Sequence, residues 1–121
     1  MRKFINGFRF AWNGIVGALG DQLNLRIQSG IAFLAFAAGV YFELTALEWC
    51  CLLLSVALVI SMELINTSIE KLVDMVSPEF QPAAGRVKDI AAGSVLVAAL
   101  ISAVIGIFIF GPYVMAWWQS L

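Results

Sequence analysis

The chain has 121 residues and a mass of 13.2 kDa; 62% of them are hydrophobic, only 12% are charged, and the mean hydropathy is +0.95. Such a composition lies far outside that of a water-soluble globular domain, so lipid is the expected solvent for much of the surface. A formal net charge of -1 and the absence of histidine exclude imidazole metal sites and histidine acid–base chemistry, and no nucleic-acid partner is expected.

The first predicted element is a helix over about residues 2–20. Phe4, Phe8, Trp12, Ile15 and Leu19 recur at three- and four-residue spacing on one face, with Arg2, Asn6, Arg9 and Asn13 opposite. Polar interruptions and the lack of an A-x-A pattern argue against a cleaved signal peptide. The stretch reads instead as an amphipathic helix lying along the membrane surface, its cations near anionic headgroups. GIVGALG (14–20) within it lacks the order of a phosphate-binding loop and reads as close packing or a helix end.

Three uncharged runs follow, Ile27–Phe42, Trp49–Met62 and Ile90 to about Trp118. Crossing a bilayer takes about 20 mostly apolar residues, and with modest polar ends the runs predict spans over about 27–45, 47–76 and 86–118. ELTALE between the first two is only long enough for a tight turn. Arg2, Lys3, Arg9 and Arg26 precede the first span and Lys71, Arg86 and Lys88 follow the second, whereas the 43–48 turn and the C-terminal end carry no cation. The positive-inside tendency then puts the N-terminus and the 63–89 region of this multi-pass chain in the cytoplasm. Cys50 and Cys51 are adjacent, lack ligand spacing and read as small apolar packing residues.

The end of the second span carries an unexpected density of acids in MELINTSIEKLVD (62–74). At about 100° per residue, Glu63, Asn66, Thr67, Glu70 and Asp74 fall on one helical face, while Met62, Leu64, Ile65, Ile69, Leu72 and Val73 fill the others. The helix is therefore expected to continue to about Val76, into the interface. An acid at the centre of a membrane helix costs about 2.5–3.5 kcal/mol and less near its edge, so something must offset Glu63. SPEFQPAAG (77–85) turns the chain back, and GRVKDIAAG (85–93) brings Arg86, Lys88 and Asp89 to the same depth. Carboxylates facing a lysine at an interface suit phosphoryl transfer: one carboxylate accepts the proton of an attacking hydroxyl, others hold Mg²⁺, and the lysine neutralises ATP phosphates. In the third span, Ala92, Ala99, Ala103 and Gly106 are expected to allow close helix packing, Pro112 to end the regular part, and Trp117 and Trp118 to form an aromatic belt.

ELINTSIEKLVD followed by GRVKDIAAGSVL resembles the signature of the small prokaryotic diacylglycerol kinase family, which includes undecaprenol kinases. The resemblance covers nearly the whole chain as one domain and implies an all-α membrane protein, one surface helix and three spans per chain, assembled as a homotrimer with composite active sites. It implies an ATP-dependent, Mg²⁺-dependent kinase that phosphorylates the primary hydroxyl of a lipid alcohol, either diacylglycerol or undecaprenol. Position by position it makes Glu63 the catalytic base, Asn66 an orienting residue, Glu70 a Mg²⁺ ligand in the nucleotide site, and Lys88 and Asp89 nucleotide contacts. Glu79, Phe80 and Gln81 match positions near the base and sugar; FRFAWNG aligns so that Lys3 would reach phosphate and Phe10 would wall the pocket. One position departs: in DQLNLRI, Gln22 stands where the family usually has a Glu metal ligand, leaving either its neutral carbonyl or neighbouring Asp21 to serve. Asn24 to Ile27, an N-x-R-I run, looks more like the undecaprenol kinase branch. A small proton-coupled transporter using Glu63 is the alternative, although that function wants its acid near mid-membrane.

Overall fold

Turn-forming or capping residues punctuate the chain at three places, and the computed structural model, which describes residues 1–121, breaks its helices there. The elements are α1 (Arg2–Asp21), α2 (Leu23–Tyr41), α3 (Ala46–Val76) and α4 (Pro82–Gln119), with no strand. Three of them, α2, α3 and α4, are long and apolar enough to cross a membrane. Only 12 of 121 residues are buried within the chain. Phe33, Leu34, Leu54, Ile107 and Phe108 lie exposed on the three long helices, a surface that lipid rather than water must cover.

The α1–α2 joint is a single residue. Gln22 is extended (φ -107°, ψ 111°), and its N–H still donates to the Ala18 carbonyl at 2.8 Å. Phe4, Phe8 and Trp12 on α1 are not covered by the rest of the chain, as an apolar face resting on lipid requires. Of the glycines in GIVGALG, Gly20 lies in the last turn of α1, whereas Gly14 and Gly17 have open space where a Cβ would sit. Close packing does not explain them.

The α2–α3 turn is tight. Phe42 and Leu44 return their N–H groups to Ala38 and Gly39, and Glu43 occupies the left-handed region at φ 55°. Thr45 then caps α3: its Oγ1 accepts the Glu48 N–H, and the Glu48 carboxylate accepts the Thr45 N–H at 2.9 Å. The same carboxylate oxygen accepts the Tyr113 hydroxyl at 2.6 Å, tying α4 to the start of α3. Phe42 packs its ring against Phe110 and Tyr113, and Leu44, Leu52 and Ile109 form the buried cluster beneath.

Gly39 is the position where the backbone admits no side chain. A Cβ there would lie 2.7 Å from the Trp49 indole and 3.1 Å from Leu44. Overpacking of a tight contact costs about 1–3 kcal/mol, so Gly39→Ala is expected to lower the thermal midpoint in detergent, while Gly93→Ala, with nothing near its Cβ, leaves it unchanged. Equal midpoints for the two variants would contradict the contact.

Helix α4 departs from the sequence-based expectation in three respects. The helix begins at Pro82 rather than about residue 86, because the fixed torsion and missing N–H of proline suit the first helical turn. It also runs through Pro112 to Gln119: the proline forfeits one backbone bond but the turns on either side continue the helix. The small residues buried on it are Ala91 and Ala98, two turns apart, with Ile109 further along the helix, whereas Ala92 is exposed. The expected stripe was one residue out of register at its start. At the other end of the first span, α2 starts at Leu23 and ends at Tyr41, so it is displaced toward the N-terminus relative to 27–45.

Central α3 packs against both α2 and α4. Between α2 and α4 lies an apolar cleft of about 370 Å³, lined also by Leu52, Val56, Val59 and Ile60 of α3. Gln28 stands at one end and Phe110 near the other, with Ser55 and Ser102 in the wall.

Candidate active site

The unbroken helix α3 carries the polar stripe onto one face, and burial grades along it. Glu63 is 2% exposed, Asn66 5% and Thr67 4%, while Glu70 is half-buried and Asp74 exposed. A carboxylate so enclosed must be partnered. Its partner is on α2: the Gln28 Nε2 donates to Glu63 Oε2 at 3.3 Å. One turn further along α3, the Asn66 amide N–H donates to Glu70 Oε1 at 3.3 Å.

Several polar atoms here are buried with nothing to bond. Asn66 Oδ1, Thr67 Oγ1 and Gln28 Oε1 all lack a partner. Each such atom carries a penalty of about 1–3 kcal/mol, and all three belong to the Glu63 face of α3 or to the Gln28 that bonds Glu63.

Beyond Glu70 the site opens to solvent and becomes charged. Lys88 of α4 pairs with Asp74 of α3, and Lys71, next to Glu70, pairs with Asp21 at the end of α1 at 2.9 Å. Both pairs are exposed, so each is worth no more than about 1 kcal/mol and opens readily. The second pair places the α1–α2 joint, and with it Gln22, beside the Glu70 turn of α3. Asp89 is exposed beside Lys88.

Glu79, Phe80 and Gln81 occupy the five-residue linker 77–81, all exposed, Phe80 at 92%. The Ser77 hydroxyl donates to the Glu79 carbonyl at 3.2 Å and shapes that turn. Lys3 and Phe10 stand apart. Both are exposed on α1, and at about 1.5 Å rise per residue Lys3 lies about 27 Å along the helix from Asp21. Within one chain Lys3 is not brought to the stripe, whereas Ala11, next to Phe10, lines a shallow pocket with Thr67 and Lys71 of α3. The Arg9 guanidinium lies over the Phe10 ring at 5.6 Å.

No three acidic side chains converge into a metal cage. The donor set is nonetheless suited to Mg²⁺, which takes oxygen ligands and leaves most positions to phosphates and water. Glu70 offers a half-buried carboxylate, Gln22 a neutral carbonyl, and Asn66 Oδ1 lies buried without a partner nearby.

Gln28 and the Lys71–Asp21 pair were not expected from the sequence. A partner 35 residues away leaves no spacing signal; the only sign of Gln28 was a lone amide in an apolar span.

Comparison with known proteins places the chain in a family. The family model described as prokaryotic diacylglycerol kinase matches residues 9–110. The undecaprenol kinase of Bacillus subtilis (strain 168) is 35% identical over 112 residues, covering 93% of this chain and 91% of that protein. A diacylglycerol kinase of Helicobacter pylori (strain ATCC 700392 / 26695) is 37% identical over 115 residues, covering 95% and 87%. The diacylglycerol kinase of Escherichia coli (strain K12) is 26% identical over 102 residues, covering 84% of each chain. With its three membrane-length helices and a family match over most of its length, the chain belongs to the prokaryotic diacylglycerol kinase family and is a transmembrane kinase.

Proposed function

We propose that the protein transfers the terminal phosphate of ATP, with Mg²⁺, to the primary hydroxyl of a membrane lipid alcohol, undecaprenol or diacylglycerol. The observation that carries this reading is the buried Glu63 carboxylate, which lies beside unpartnered polar atoms, at one end of an apolar cleft and on the same helix face as the charged groups. A lipid tail suits the cleft, a hydroxyl suits Glu63, and a nucleotide suits the exposed end of the stripe.

In this reading Glu63 is the base. As the alcohol oxygen bonds to the terminal phosphorus, its proton passes to a Glu63 oxygen and the phosphoanhydride bond breaks, releasing ADP. Asn66, hydrogen-bonded to Glu70, orients the space between base and phosphates. Glu70 and Gln22 would hold Mg²⁺, whose contribution when bound is to neutralise charge across the phosphates. Lys88 leaves its exposed pairing with Asp74 to meet a phosphate, and Asp89, Glu79, Phe80 and Gln81 line the nucleotide side. Lys3 and Phe10 join that site from a neighbouring copy in a homotrimer; the distance of Lys3 from the α1–α2 joint of its own chain supports such sharing. The lysines and arginines at one end of the spans favour a cytoplasmic N-terminus in the bacterial inner membrane.

Relatives of both names have similar identity to this chain, so identity does not choose the lipid. The N-x-R-I run at Asn24 to Ile27 favours undecaprenol. Purified protein in bicelles, given ATP and Mg²⁺ with each lipid in turn, is expected to phosphorylate undecaprenol with the higher kcat/KM. A preference for diacylglycerol reverses the substrate assignment, and no transfer to either, in the presence of bound nucleotide, defeats the kinase reading itself.

A further inference from the structure

Gln28 has no place in the machinery described so far, yet it is the group that touches the buried carboxylate. Its two polar atoms are in opposite conditions. Nε2 donates to Glu63 Oε2 at 3.3 Å, while Oε1 is buried with no partner. The residue also closes the Glu63 end of the cleft between α2 and α4. In an apolar span, burying an amide oxygen with no hydrogen-bond partner costs free energy that a leucine would not.

We propose that Gln28 is a positioning residue for the transfer: its N–H fixes one Glu63 oxygen, and its carbonyl receives the lipid hydroxyl arriving along the cleft. The inference rests on reading Glu63 as the base and deepens it. Holding Oε2 with a neutral donor leaves the other carboxylate oxygen free for the proton and prevents the side chain from rotating. An amide suits the task because it supplies a donor and an acceptor on one rigid plane without adding a charge that would need its own partner. The O–H bond of the alcohol is then presented between two acceptors, Gln28 Oε1 and the free Glu63 oxygen, and only the carboxylate can keep the proton. Alignment of this kind acts on the chemical step and leaves nucleotide binding alone.

The test uses full-length protein in bicelles with ATP, Mg²⁺ and the better of the two lipids. Gln28→Met keeps the length and removes both polar atoms; Gln28→Asn keeps the amide but falls a methylene short of Glu63. Each is expected to lower kcat about tenfold, the loss appropriate to one hydrogen bond to a charged group, with KM for ATP unchanged. Gln28→Met combined with Glu63→Asp is expected to be no slower than Glu63→Asp alone, because a shortened carboxylate has already lost the contact. A purely structural residue would instead give losses that multiply, and that result, or wild-type kcat in Gln28→Asn, overturns the proposal. Glu63→Gln separates the two readings. If it turns over at the wild-type rate, the base assignment fails; if it is slow while both Gln28 variants are fast, only the role of Gln28 fails.

Discussion

Glu63→Gln is expected to lower kcat by about 10²–10⁴-fold, the range for losing a positioned general base, while ATP binding is retained. The substitution is nearly isosteric, and an amide in this 2%-exposed position still offers an oxygen to Gln28 Nε2. Packing and the contact between α2 and α3 therefore survive, and only the capacity to take a proton is removed. Burial makes the prediction sharp, since a neutral side chain is easier to enclose than a carboxylate; the variant should melt no lower than the wild type. Steady-state transfer to lipid alcohol and the thermal midpoint, measured in the same detergent, check both halves. Wild-type turnover would show that no base acts at this position.

Lys88→Met is the second large effect, a loss of about 10²–10³-fold in kcat from removing one charged contact to a transferring phosphoryl group. Its stability cost is expected to be small, because the Lys88–Asp74 pair is exposed on both sides and such pairs contribute less than about 1 kcal/mol. The control is Asp74→Asn, which breaks the same pair from the other end. It should leave kcat within a few-fold of wild type if the lysine matters for phosphate rather than for its partner on α3. Similar losses in both variants would mean that the ion pair itself is the functional unit.

How much of this was legible in the sequence depended on whether the geometry lay within one helix. The stripe of Glu63, Asn66, Thr67 and Glu70 is fixed by helical period alone, so its residues share a face once α3 is continuous. Approach of Lys88 to Asp74 followed from a five-residue linker that leaves α4 little choice but to double back. Gln28 was invisible because its meeting with Glu63 depends on the rotation of α2 about its own axis, which no local pattern encodes. Register failed on α4 for a related reason: alanines and glycines occur on several of its faces, so size alone does not tell which face meets α3. Pro112 does not end the helix because a proline carries its cost locally, and the turns on either side of it continue the backbone ladder. Lys3 and Phe10 come from the family resemblance only, because no pattern within α1 singles them out.

The single-residue joint at Gln22 has a mechanical consequence. Two helices that meet with no slack behave as a crank, one arm floating on the membrane surface and the other sunk through it. A thinner or thicker bilayer is matched by tilting α2, and with no loop to take up the motion the tilt is passed to α1 through the torsions of Gln22. The Lys71–Asp21 pair beside it is the weak clamp that resists this swing. The candidate metal ligand is therefore also the residue whose torsions set the angle between the two arms.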